Sequence, residues 1–246
     1  MLISYLILIH QIIAHIALVG LIIYFPIKYW LIAILIYAIQ YCFGGTITYH
    51  RLLSHSSFKP PLWFYYVGSI LGVMSCSGSP IAWVATHKKH HRFTDQKNDP
   101  HSMRFVAWYK VQWLTMLVPA EPKYAAHLLR SKFQIFLHKY YFAIHAAYAI
   151  VLYAIKPELL IYIYLAPAAL VWEAGSIINT VCHKWGYKNY DIPDDSKNNK
   201  FIAFFTFGEG LHNNHHAKQS LYNFSRKSDE IDLASFFITF LKKKST

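Results

Sequence analysis

At 246 residues the chain has room for one large domain or two small ones. Its make-up, 55% hydrophobic and only 15% charged, suits solvation by lipid over much of its length better than a water-soluble globule. A net charge of +12 fits so apolar a chain only if the charges gather on one side of a bilayer, where anionic head groups attract them; no nucleic-acid partner is expected.

The first element is apolar. Residues 2–25 hold no Lys, Arg, Asp or Glu, and at about 1.5 Å per residue they exceed the ~30 Å hydrocarbon layer. They lack the basic start and small-residue cleavage site of a signal peptide, so a transmembrane helix is expected. Pro26 and Lys28 mark a turn before a second span, about 29–49. The stretch 62–84 carries Gly68, Gly72, Gly78 and Pro80 and makes a poor spanning helix; it reads as a membrane-surface or re-entrant segment. A third span is expected over about 133–154 and, after Lys156-Pro157, a fourth over about 158–179. All basic residues except Lys28 and Lys156 then lie between the hairpins, at span ends or in the C-terminal region, on the side that the positive-inside rule makes cytoplasmic. The fold class expected is an all-α integral membrane protein, four transmembrane helices in two hairpins with a cytoplasmic helical cap. It forms a single domain over 1–246, with cytoplasmic regions at about 50–132 and 180–246 and both termini cytoplasmic. The closing LKKKST (241–246) reads as a basic surface anchor.

The chemistry is carried by histidine. THKKHH (86–91) and LHNNHH (211–216) repeat one spacing, and positions i, i+3 and i+4 share a helix face. His87, His90 and His91 should project together, as should His212, His215 and His216. HRLLSH (50–55) adds His50 and His55 at an i, i+5 spacing that no ideal helix face accommodates, so a helix end or bend is expected there. NTVCH adds Asn179 and His183 at the matching end of the fourth span. Nine imidazoles exceed the four to six positions of one ion, so two metals are implied. An all-nitrogen set suits iron, copper or zinc, and oxygen chemistry favours iron. His10, His15, His127, His138 and His145 stand alone and read as packed or surface residues. Cys42, Cys76 and Cys182 are isolated, without a CxxC pair, and read as buried thiols rather than an iron–sulfur or disulfide framework.

HRLLSH, WVATHKKHHRFTDQKNDPHS (83–102), NTVCHKWGYKNY (179–190), DDSKNN (194–199) and GEGLHNNHHA (208–217) together resemble the membrane fatty acid desaturases of the Δ9, stearoyl-CoA desaturase-like type, in a bacterial or plant-like variant. The blocks span most of the chain in that family's order. The resemblance implies a diiron centre and an O2-dependent insertion of a cis double bond, Δ9 by type, into a saturated acyl chain held as a CoA thioester or lipid ester. One iron would take His50, His55, His87, His91 and His215. The other would take His90, His183, His212 and His216, with Asn179 holding a water. A separate electron donor such as a ferredoxin or cytochrome b5 is implied, and a bacterial inner membrane, or the endoplasmic reticulum in a eukaryote.

Asp95, Asp99 and Glu209 are candidates to accept the free N–H of a ligating imidazole, or else ordinary caps and surface charges. His101 lies in a family block but outside its ligand set and reads as structural. Glu173, deep in the fourth span, should face the bundle interior. Ala85 and Thr86 stand where animal acyl-CoA desaturases carry an Arg-Asp pair that contacts CoA, and Leu211 where an aromatic is usual. The alternatives are a related diiron hydroxylase or ketolase acting on an alkane, sterol or carotenoid, and a His-rich membrane metal-binding protein. The latter would need a polar path through spans that are nearly uncharged.

Overall fold

A computed structural model describes residues 2–242; the end of the basic tail lies outside the described residues. Helix α1 (Leu2–Tyr24) turns Ile9, Ile12, Ile16, Val19 and Ile23 outward and buries Gln11, Ala14 and Leu21. A water-soluble monomer does not carry so continuous an apolar face; a bilayer covers one. Helix α2 (Ile27–Ser54) starts at Pro26 and keeps its outer face apolar through Ile27, Leu31, Ile34 and Leu35. It runs beyond the expected span end at residue 49, and from Gln40 to Ser54 it widens into a π-helix, almost wholly buried.

Helix α3 (Leu62–Met74) is apolar but too short to cross a membrane. Glycines on both helices serve the packing: a Cβ on Gly72 of α3 would stand 2.2 Å from the Tyr49 ring, and one on Gly44 of α2 2.4 Å from the Leu71 backbone. The small residues that make 62–84 a poor span are thus what bring α3 into backbone contact with α2. A turn through Cys76 (φ 60°) and Gly78 (φ 109°) leads to α4 (Pro80–Phe93), whose first turn is set by Pro80 and the Ser79 hydroxyl accepting from Ala82 N.

After the short α5 (Trp108–Trp113) the chain makes three 3₁₀ turns. The continuous third span expected at 133–154 is not what forms. Helices α6 (Lys132–Lys139) and α7 (Tyr141–Ile155) meet at 65° around Tyr140. The Ser79 hydroxyl and His138 Nδ1, 2.6 Å apart, tie α6 to the start of α4. Helix α8 (Leu160–Thr180) opens with a π turn and packs Ala166, Ala168 and Ala169 inward.

Three helices, Ser4–Tyr24, Ile27–Ser54 and Leu160–Thr180, are long and apolar enough to cross a membrane, and the α6–α7 pair makes a fourth if it is counted as one broken span. Glu173 on α8 does turn to other elements. It accepts from Gln112 Nε2 (2.7 Å) and Trp113 Nε1 (2.9 Å) and meets His15 Nε2 at 2.9 Å, so it ties α5 and α1 to α8.

The described residues form no β-strand. Between α8 and the last helices the chain is held by isolated bridges, Tyr187–Asn198 and Asn198–Leu211. Then follow α9 (Lys200–Phe205), α10 (His212–Ala217) and α11 (Leu233–Leu241).

Candidate metal centre

The wide turn of α2 resolves the awkward spacing of HRLLSH. His55 N bonds to His50 O at 3.2 Å, a five-residue step, and the two rings come within 5.0 Å. Where an α-helix would place them on different faces, a π-helix stacks them on one. The expected helix end arrives only at His55, the helix cap. On α4, His87, His90 and His91 share a face, and Trp83 stacks on the His87 ring at 4.9 Å.

LHNNHH forms α10, whose five residues His212–His216 are all buried. Its two asparagines hold it in place. Asn213 Oδ1 accepts from Asn189 N and Tyr190 N, and Asn214 Nδ2 donates to Phe224 O and Glu230 Oε2. Glu230, which the sequence reading passed over, also accepts from Tyr187, Asn189 and the amides of Arg226 and Lys227.

All nine histidines come together, in two groups whose nearest nitrogens lie within 4.8 Å of one another. One is His50, His55, His87, His91 and His215, the other His90, His183, His212 and His216. In the first, Nε2 atoms approach at 2.9 Å (His50–His215), 2.9 Å (His215–His91) and 2.8 Å (His55–His87). Two nitrogens each about 2.1 Å from one ion and about 90° apart would stand about 3 Å from each other. In the second, His183 and His212 Nε2 atoms are 3.1 Å apart, while Nε2 of His90 and of His216 are buried without a partner among the described residues. Buried nitrogens left unpaired, converging with others of the same kind, are what a metal site requires and what a packed core avoids. The clusters are therefore able to hold metal.

Four imidazoles are oriented from behind by carboxylates. Glu209 takes His50 Nδ1, Asp99 takes His90 Nδ1 at 3.0 Å, and Asp95 takes His183 Nδ1 at 3.1 Å. These are the three acids singled out in the sequence. The fourth, Asp194, meets His216 Nδ1 at 3.1 Å. It lies in the DDSKNN block, and its signal was position alone, with no histidine nearby in sequence. Such a bond leaves Nε2 free toward the ion.

Glu209 in turn contacts Arg51, which is fully buried. Arg51 donates to both Asp232 oxygens (2.9 and 2.8 Å) and to Tyr222 O, and lies 3.9 Å over the Phe224 ring. Asp232 also caps α11 through Ser235 N, so one ionic cluster joins α2, the 208–211 turn and α11. Nothing in the periodicity of HRLLSH marks Arg51 for this part. His101, read from the sequence as structural, lies beside this centre. With His90 and Asp99 it forms a third group able to hold a metal, its ring 4.3 Å from that of His90 and its Nε2 buried without a partner among the described residues.

Burial, reinforced by neighbouring imidazoles, holds His87, His91, His212 and His215 well below the ordinary histidine range; the same causes bring His55 down to about 2. Burial lowers His216 to about 4 even against Asp194. These rings stay neutral, the form that ligates. Burial pushes the Asp99 and Glu209 carboxyls up, but the facing His90 outweighs it for Asp99, bringing it to about 2, and His50 and Arg51 outweigh it for Glu209, leaving it below its usual value.

A pH dependence follows. An unfolded chain protonates its histidines near pH 6.5, whereas in the folded chain His216 resists until about 4, His55 until about 2, and His87, His91, His212 and His215 stay well below the usual range. The unfolded state therefore binds more protons in that window, and stability falls as pH drops through it. The depressed carboxylates titrate below the window. Metal-free protein in detergent, unfolded by heat and followed by Trp fluorescence, should show a midpoint that falls steadily from pH 7 to pH 5; a flat or rising midpoint would contradict the neutral, buried cluster.

A cavity of about 280 Å³ runs to these groups. It is lined by His50, His87, His101 and His212, with Asn179 and Glu209, and also by Ser4 and Ile7 of α1, Tyr41 and Gly45 of α2 and Val171 and Trp172 of α8. It thus connects the histidines with the helices that are apolar enough for a membrane.

Residues 28–225 match the sequence model of the fatty acid desaturase family. The chain belongs to that family. It is similar to the sn-1 stearoyl-lipid 9-desaturase of Synechocystis sp., 34% identical over 85% of this chain and 67% of that one. The enzyme of the same name from Anabaena variabilis is 33% identical, over 86% and 79%. An acyl-CoA 5-desaturase of Anemone leveillei is 35% identical over 77% of this chain and 61% of its own length. The desaturase is accordingly an oxidoreductase acting on fatty acyl chains.

Proposed function

We propose that this desaturase uses two irons and O2 to place a cis double bond, at Δ9, in a saturated acyl chain presented as a lipid ester. The observation that carries the reading is the cavity that leads from the apolar helices α1, α2 and α8 to both histidine groups. The five-histidine group would hold one iron. His90, His183, His212 and His216 would hold the other, with Asn179, which lines the cavity, beside it through a water. When bound, the two irons with O2 and electrons supply the oxidising power that an unactivated C–H bond requires.

The chain's own residues do the positioning. Asp95, Asp99, Asp194 and Glu209 aim four imidazoles and keep their Nδ1 protons in place. Trp83, stacked on His87, would flank one stretch of methylenes beside the histidines, with Gly45, Gly175 and Ser176 leaving room for the chain in the cavity wall. Each turnover removes two hydrogens and consumes one O2, two electrons and two protons, leaving two waters. The electrons would come from a separate donor such as a ferredoxin or cytochrome b5; the three cysteines, separate and buried, do not form an iron–sulfur site.

A lipid ester rather than a CoA thioester is favoured by the cavity. Its lining residues include no Lys or Arg; Thr86 is among them and Ala85 is buried. The phosphates of CoA call for cationic partners. Two relatives are named stearoyl-lipid desaturases and a third an acyl-CoA desaturase. The arrangement we infer in the membrane is four crossings in two hairpins, the third through the bent α6–α7 pair. The histidines and both chain ends face the cytoplasm, in a bacterial inner membrane.

The test is expression in a host without desaturases, together with a ferredoxin system. Mass spectrometry of lipid acyl chains should find new cis unsaturation nine carbons from the carboxyl, in lipid-bound chains before the CoA pool. Hydroxy or keto chains without unsaturation would overturn the reaction assigned, and unsaturation arising first in acyl-CoA would overturn the carrier.

A further inference from the structure

A second cavity, of about 140 Å³, adjoins the first, and Ile7 lines both. Along α1, Ser4 and Ile7 face the larger cavity, while Ile7 and His10 face the smaller. Residues three apart share a helix face and lie about 4.5 Å apart along the axis. The two cavities therefore follow one another down a single stripe of α1. Across from α1 the order repeats in the turn between α3 and α4, where Ser77 and Gly78 line the larger cavity and Cys76 the smaller. That turn is pinned, since Gly78 N donates to the Tyr141 hydroxyl at 3.2 Å. The partition between the cavities is thus this fixed turn on one side and the Ile7 side chain on the other.

The smaller chamber is mostly apolar, with a few polar groups in its wall. Tyr164 Oη and His145 Nδ1 are 3.1 Å apart, and Nε2 of His145 and of His10 are buried with no partner among the described residues. Such nitrogens favour a trapped water over the methyl end of a hydrocarbon.

We propose, resting on the reading of the larger cavity as the acyl site, that Ile7 is the stop that closes that site off from the smaller chamber and so sets the longest chain accepted. Cavities near 150 Å³ hold a six-carbon ring, so removing the stop opens room for about four to six further carbons.

The test uses the full chain in the desaturase-free host, fed saturated acyl chains of graded length, with product lengths read by mass spectrometry. In Ile7→Ala the ratio of longer unsaturated products to those of the native length should rise about tenfold or more, the scale of discrimination that one methylene gives in an apolar pocket. Ile7→Phe should move the distribution to shorter chains. Ile13→Ala, on the exposed side of the same helix, should leave it unchanged. An active Ile7→Ala enzyme with the native length profile overturns the proposal, as does an equal shift in Ile13→Ala. If Ile7→Ala does not accumulate, Ile7→Val and Ile7→Phe carry the same test through shifts in opposite directions. Failure of the unaltered chain to make any unsaturated product would count against the acyl-site reading instead.

Discussion

His215→Ala is expected to lose bound iron and to form no detectable unsaturated product while still accumulating in the membrane. Its Nε2 approaches both His50 and His91 at 2.9 Å, and the ring is fully buried. Truncation therefore takes out the nitrogen at which three elements of the five-histidine group meet. Groups that act as one unit fail together, so partial activity is not expected.

Asp194→Ala serves as the contrast. It leaves every histidine in place but frees His216 Nδ1, and loss of such an orienting partner weakens metal affinity about 10–100-fold. Iron content in Asp194→Ala should recover when the metal supply is raised, and that in His215→Ala should not. Elemental analysis of the purified proteins measures both. A His215→Ala protein with full iron and activity would remove it from the ligand set.

Arg51→Met should destabilise the fold more than any surface charge change. The side chain is fully buried between Glu209 and Asp232, and its loss leaves two buried carboxylates facing each other without a cation. Breaking such a cluster by removing one partner costs about 3–5 kcal/mol. That is a large part of a typical stability of about 5–15 kcal/mol, and should lower a melting temperature in detergent by roughly 10 °C. Arg104→Ala gives the scale, since its partner Asp195 is exposed and the pair should be worth less than about 1 kcal/mol. Equal melting temperatures for the two variants would show that the Arg51 cluster does not tie the cap together. Because Asp232 also caps α11, the Arg51 variant should in addition loosen that helix, visible as faster amide exchange over 233–241.

The histidines were legible because their chemistry is local. The spacing in THKKHH and LHNNHH sets a shared face within one helical turn, and the chain need only keep that turn helical. HRLLSH was read less well. A five-residue step is meaningless on an α-helix; the π-helix that makes sense of it packs closely on α3 at Gly44 and Gly72, a tertiary contact outside any local period. The bend in the third apolar stretch was not read either. Hydropathy averages over a window and does not register a 65° bend at Tyr140, between the amphipathic α6 and the apolar α7.

By itself, then, the sequence determined which residues supply the nitrogen donors, the all-helical class and the long apolar runs. These follow from residue type and short-range period, both written locally in the chain. Only the tertiary structure decided which carboxylate backs which imidazole, that Arg51 lies at the centre of a buried ionic cluster, and which helices line the cavity that reaches the histidines. His50 and His215 are 165 positions apart, Arg51 and Asp232 181. Contacts over such separations depend on how α2, α4 and the 179–217 region pack together, and no local period encodes that.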